Sequence, residues 1–235
     1  MDGSDEKIDF QACMKALLED DTAHEAREQF LTVVTDAFTK SAEALNVGGW
    51  LLKNRSLEAL AILTQMVAEL ADGALTLLRK QEYYAAAALV RQLVEGQYFM
   101  WRFSVDDGAG AEWLAATSEQ IRHEFSPSQL RRQAGDQFNA KEYWHHCDVG
   151  GHPNPKARIV LKQYGTPLGT HRFLWVDLAQ HLETIWQHFE TALTTNDVPP
   201  VVVDQLIHGV RDATEQWHEK DVLWEKLSRS MLESL

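Results

Sequence analysis

The sequence predicts an all-α protein, a single bundle of seven or eight helices. Apolar residues recur at steps of three and four along most of the chain, while period-two alternation is scarce. The periodic stretches are separated by short Gly-, Pro-, Asn- or Asp-bearing breaks, as helix termini require. No 20–50-residue repeat is visible, so the helices belong to one domain spanning 1–235 rather than to a solenoid.

Asp5 to Glu19 reads as a short amphipathic helix with Ile8, Ala12 and Leu17-Leu18 on one side. Thr22 to Leu45 repeats Ala26, Phe30, Val33-Val34, Ala37-Phe38 and Leu45, and Val47-Gly-Gly49 is read as its stop. Residues 1 to about 46 thus form an N-terminal helical arm. Leu57 to Leu78 and Tyr83 to Phe103 follow, the second being the most apolar helix of the chain. A turn over Ser104–Gly110 leads to a helix over Glu112–Glu124, and Ser126-Pro127 starts another, with Ser as cap and Pro in the first turn. From Asn139 periodicity stops, and 143–172 reads as an ordered functional loop, because long aperiodic segments in compact domains usually carry function. Helices resume at His171–Leu193 and after Pro200, where Leu206, Val210, Ala213, Trp217, Trp224, Leu227 and Met231 make a nearly heptad-like seam.

Lys plus Arg is 22 and Asp plus Glu is 35, a net charge of −13. That opposes a dedicated duplex-DNA binder, whose affinity comes from cations on phosphates. Two cysteines, Cys13 and Cys147, make no disulfide framework and suit a reducing cytoplasm. The acidic start, Met1-Asp-Gly-Ser-Asp, is unlike a signal peptide, and no run of about 18 uninterrupted apolar residues predicts a membrane span.

Two features carry chemistry. On the apolar helix, Arg91, Glu95, Tyr98 and Arg102 stand at steps of four, three and four, which places them on one face. They are read either as a structural ion pair or as Arg91 and Glu95 entering a cleft, with Gly96 giving room beside them. Farther on, His145, His146, Cys147, Asp148 and His152 fall within eight residues. Three readings compete: a packed polar loop; a zinc site from His146, Cys147 and His152 with Glu95; and a metal-free acid–base site in which His146 or His152 moves a proton beside Arg91 and Glu95. No CxxC or HExxH spacing supports the zinc reading, so no metal or other cofactor is assigned. Between Val149 and Val176 every charged residue is positive (Lys156, Arg158, Lys162 and Arg172), which suggests an anion site for a nucleotide or RNA.

Leu89-Val-Arg-Gln-Leu-Val-Glu95, Trp113, Tyr143 and Gly150-Gly-His-Pro153, in that order, resemble an uncharacterised bacterial family of helical proteins with an Arg-xxx-Glu helix and a His-Pro turn, over roughly residues 55 to 195. That family is similar in architecture to HEPN domains, helical bundles that often act as metal-independent ribonucleases in toxin–antitoxin and antiphage systems. The resemblance implies a HEPN-like bundle, a homodimer, a protein partner from the same defence system and a possible endoribonuclease activity. It also directs attention to Arg211 and His218, which fit the Arg-x(4–6)-His pattern of such nucleases on a late helix. Glu215, Glu219 and Asp221 surround them, which suits a solvated or dimer-facing helix better than an RNA site, so this pair ranks below His146, His152, Arg91 and Glu95. A non-enzymatic dimeric interaction module and a metal-dependent hydrolase are the alternatives.

Overall fold

The structure, a computed structural model, describes residues 19–164 and 168–221. Its described residues are helical with no strand: α1 (Asp21–Leu52), α2 (Arg55–Arg79), α3 (Tyr83–Val105), α4 (Ala109–Ala115), α5 (Ser118–Glu124), α6 (Pro127–Ala134), α7 (Ala140–His146), α8 (Leu168–Thr195) and α9 (Pro200–Lys220). The expected helix over Asp5–Glu19 lies almost wholly outside the described residues, as do Trp224, Leu227 and Met231 of the expected seam.

Five long helices build the body. α1 packs along α2, α2 along α3, α3 along α8, and α8 returns to α1, while α9 closes over α1. Phe30, Phe38, Leu60, Leu93, Met100, Phe189 and Trp217 are sealed between them. Each such side chain contributes roughly 1.5–3 kcal/mol by leaving water. α2 is long and apolar enough to cross a membrane by length and composition, and half of its most apolar stretch is buried in the bundle, as in a core helix.

Three boundaries differ from the sequence reading, each for a local reason. α1 runs through Gly48-Gly49 to Leu52 and stops at Lys53, whose left-handed backbone (φ 51°) lets its N–H reach the last carbonyls. Gly49 serves close packing instead of termination: a Cβ there would sit 3.0 Å from the Glu58 backbone nitrogen. Asp21–Leu52 is therefore a core helix, and Phe30, Val34 and Phe38 are fully covered. The expected helix over 112–124 is two, split where Ala116 turns extended (ψ 136°) and Thr117 and Gln120 form a capping box. The aperiodic stretch contains α7, capped by the Asn139 side chain on Lys141 N, then a π-type turn over Cys147–Gly151 and a 3-10 turn over Pro155–Val160.

Where α9 meets α1, the fully buried Arg27 donates through Nε to Asp221 Oδ2 at 2.7 Å, and Trp217 Nε1 donates to the same oxygen at 2.9 Å. Trp217 also stacks on Phe30. The described half of the predicted C-terminal seam, Val210, Ala213 and Trp217, is thus used within the chain.

Burial pushes the imidazoles of His24, His171 and His188 below their ordinary value, with Arg172 and Arg27 adding to the effect on His24 and Lys162 on His171. Folding therefore favours their neutral forms, and unfolding takes up protons. This contribution to stability is complete above pH ~6.5, the unfolded value, and is lost as pH falls below it. The urea midpoint is expected to drop between pH 7.5 and 5.5, and His188→Gln, which removes one of these groups, is expected to drop less. An equal loss in both chains would contradict this.

Candidate active site

α3 is the platform of the site and packs against both α7 and α8. Gly150 permits this approach: a Cβ there would lie 2.5 Å from the carbonyl carbon and oxygen of Ala87, so the turn after α7 rests directly on the α3 backbone. The next residue, Gly151, lies against the Arg91 side chain in the same way.

Arg91 and Glu95 pair along α3, Arg91 Nη2 donating to Glu95 Oε1 at 2.7 Å. Tyr143 from α7 completes a triad, its hydroxyl donating to Glu95 Oε1 at 3.0 Å and accepting from Arg91 Nη2 at 3.3 Å. The Tyr143 ring carries the Arg131 guanidinium 4.7 Å from its centre, and Nε and Nη1 of Arg131 have no hydrogen-bond partner among the described residues. Burial, then the Glu95 carboxylate, push the Tyr143 phenol up to about 12, so it remains a neutral donor. Tyr143→Phe removes both hydroxyl contacts, each worth roughly 0.5–1.5 kcal/mol. At about 2–4 °C per kcal/mol for a chain of this size, the melting temperature is expected to fall by several degrees. An unchanged melting curve would show the triad to be energetically idle.

His146, one turn beyond Tyr143, does not join that triad. It turns to α8 and lies in a second, denser cluster. His146 Nε2 is 3.1 Å from His181 Nε2, and Asp177 Oδ1 is 3.7 Å from the first and 3.6 Å from the second. Glu142 Oε1 is 3.7 Å from His181 Nε2. Each helix supplies a carboxylate and an imidazole four residues apart, Glu142 with His146 and Asp177 with His181, which places each pair on one helix face. Gln97 of α3 anchors the far side of His181, Nδ1 to Oε1, at 2.9 Å. With the amide oxygen as acceptor, the Nδ1 proton is held by Gln97 and the Nε2 lone pair is aimed into the cluster.

The charges of this cluster pull its members apart. Burial takes His146 down to about 4 despite the opposing pull of Asp177. Burial also acts on His181, but the neighbouring Asp177 and Glu142 carboxylates outweigh it, and the net shift is upward. Asp177 is held below the usual carboxylate range because His146 and His181 overcome its burial. Burial, with Asp177 nearby, raises Glu142. A cavity of about 30 Å³ lined by Ala87, His146, Val149, Val160, Leu174 and Asp177 touches the cluster. It has room for a water, which needs ~10–15 Å³, and none for a nucleotide. The solvent edge is at Glu142, whose side chain is 41% exposed.

The remaining sequence candidates are dispersed. His152 is exposed. Cys147 is buried in the turn that lies against Arg91. Of the residues weighed for zinc, only His146 belongs to the grouping of possible ligands in the described residues. Lys156 pairs with Asp148 and Arg172 with Asp21, while Arg158 and Lys162 are exposed. Arg172 lines a different cleft, of about 300 Å³, with His24, Arg79, Tyr83 and Trp175. Arg211 and His218 lie on α9, His218 Nε2 being 3.1 Å from Glu183 Oε1. The residues missed by sequence reasoning are Glu142, Asp177, His181 and Gln97. A search for acid-xxx-His pairs on helices would have found the first three.

Comparison with family models, with curated proteins and with solved structures finds no match to this chain.

Proposed function

We propose that this chain is a hydrolase of phosphoric esters, with RNA as the substrate class that the HEPN resemblance suggests. One observation carries the reading: a second imidazole and two carboxylates lie within 3.1–3.7 Å of the buried His181 Nε2 where α7 and α8 meet. Such groups are costly to desolvate, and clusters of this kind are characteristic of reaction centres. The chemistry follows from the donor set. Asp177, with the imidazoles beside it, draws the proton from a water held in the small cavity; that water attacks phosphorus, the bond to the leaving sugar oxygen breaks, and that oxygen takes up the proton. Arg91 and Arg131, one turn of α7 away, supply positive charge toward the phosphoryl oxygens as negative charge builds on them. Trp144 offers a flat exposed surface on which a base can stack. A HEPN-like fold and a place in bacterial defence rest on the resemblance alone.

The test is cleavage of total RNA by the purified chain beside its His181→Ala form, with circular dichroism confirming that both are folded. Wild type is expected to cleave, and His181→Ala to lose at least about 100-fold, the usual cost of removing a proton-transfer group. Equal rates in the two folded chains would overturn the reading.

A second reading, an interaction module that forms homodimers or docks a partner protein, is favoured by a separate observation. At the α1–α2 tip, Val47, Trp50, Leu51 and Leu52 are exposed, Trp50 by 78%, beside a cavity of about 550 Å³. Apolar surface grouped in this way marks association sites. Light scattering is expected to show a dimer that Trp50→Ser with Leu51→Ser converts to monomer; a monomeric wild type would remove the homodimer.

A further inference from the structure

We propose that Glu142, His146 and His181 bind one divalent first-row transition ion, with Asp177 facing the two imidazoles from beside the site. This rests on the reading of the α7–α8 cluster as the reactive centre and leaves Asp177 as its proton acceptor.

The argument is geometric. Tetrahedral bonds of about 2.0–2.1 Å to nitrogen and oxygen place neighbouring ligand atoms about 3.3–3.4 Å apart. The cluster has that scale: 3.1 Å between the two Nε2 atoms, 3.6 and 3.7 Å from them to Asp177 Oδ1, and 3.7 Å from His181 Nε2 to Glu142 Oε1. Glu142, His146 and His181 each offer one ligand atom, and the three atoms lie within 4.8 Å of one another. Two nitrogens and one carboxylate oxygen, with a position left for water, form a set suited to zinc, manganese or ferrous iron, and they lack the all-oxygen character that calcium or magnesium requires.

The surroundings point the same way. A metal-bound imidazole almost always donates its other N–H to an oxygen that fixes ring and tautomer. His181 does this through Nδ1 to the buried Gln97, on a third helix, which leaves Nε2 free to coordinate. Without an ion, the two Nε2 atoms must share one proton, and Asp177 faces both at distances too long for good hydrogen bonds. With an ion, both Nε2 lone pairs and the Glu142 carboxylate have a partner, and Asp177 stays beside the imidazoles. Two carboxylates and two neutral imidazoles also neutralise a dication.

The test uses the full chain, stripped with chelator and titrated with Zn²⁺ alone by calorimetry, with elemental analysis of the untreated protein. One ion per chain is expected. His181→Ala and Glu142→Gln should each weaken binding by about 100-fold or more, and Gln97→Ala, which removes only the outer hydrogen bond, by on the order of 10–100-fold. Glu142→Gln changes a side chain at the solvent edge, so the test holds if His181→Ala fails to fold. No saturable one-to-one binding, or binding equal in wild type and Glu142→Gln, overturns the site. Zinc binding without RNA cleavage would retain the metal site and remove the hydrolase reading. Cleavage undiminished in chelator would do the reverse.

Discussion

Asp221→Ala is expected to destabilise the bundle by about 3–5 kcal/mol, the cost of breaking a buried ion pair from one side. Arg27 is fully covered, and its Nε lies 2.7 Å from the carboxylate oxygen that also accepts from Trp217 Nε1. Removing that oxygen takes the acceptor from a buried charge and a buried indole at once. Both sit where α9 closes on α1, so the loss loosens the whole closing helix. Asp221→Asn keeps an acceptor for Trp217 but not the charge facing Arg27, and is expected to fall between wild type and Asp221→Ala. Urea denaturation followed by tryptophan fluorescence measures both. A loss under about 1 kcal/mol for Asp221→Ala, the scale of an exposed pair, would show that the Arg27 contact is not a closed structural lock.

Gly150→Ala is expected to cost about 1–3 kcal/mol or more, although it adds a single carbon, because overpacking forces the surroundings to move. The added Cβ would meet backbone atoms of α3: the carbonyl carbon and oxygen of Ala87 at 2.5 Å and the Ala88 nitrogen at 2.7 Å. A helix backbone cannot rotate aside as a side chain can, so the turn after α7 must lift away. That turn directly follows His146, and lifting it separates His146 from His181. Gly150→Ala should therefore lose RNA cleavage and zinc binding together with stability. Gly48→Ala, with nothing within 4 Å of the new Cβ, is the control that should change little. A Gly150→Ala chain with wild-type melting and zinc affinity would mean that the turn does not position His146.

Much of the bundle was legible because its helices obey one simple rule. α2 and α3 present continuous apolar faces closed by turn residues, and their ends fall within two residues of the expected positions. Where the reading differed, a long-range contact was responsible. Gly48-Gly49 looks like a stop, yet Gly49 stays helical because its bare Cα lets the Glu58 backbone approach. The split at Ala116 was visible in Thr117 and Gln120, which match a capping box. The stretch after Asn139 has no periodicity because its helix is only seven residues long and is followed by tight turns.

The site divides in the same way. Arg91 and Glu95 stand out as charges four apart on an apolar helix, and Tyr143 was already part of the recognised pattern; their triad depends on α7 reaching back to α3. His181 lies within the regular apolar repeat of α8, between Gln180 and Leu182, and its one sequence signal is Asp177 four residues before it. Only the packing of α8 against α3 brings it to His146 and Gln97. The dense His145–His152 segment drew attention to the right turn of chain, but just one of its three histidines faces inward.

The most direct measurement is a long-range proton–nitrogen spectrum of the imidazoles in the full chain, with each histidine assigned by substitution. His181 is expected as the Nδ1–H tautomer held by Gln97, and the Nε2 signals of His146 and His181 should shift together on adding one equivalent of Zn²⁺, while those of His152 and His218 stay in place. A neutral His181 protonated on Nε2 in place of Nδ1, or Nε2 signals of the two buried histidines that respond independently, would contradict the convergence of α7 and α8 on one reactive centre.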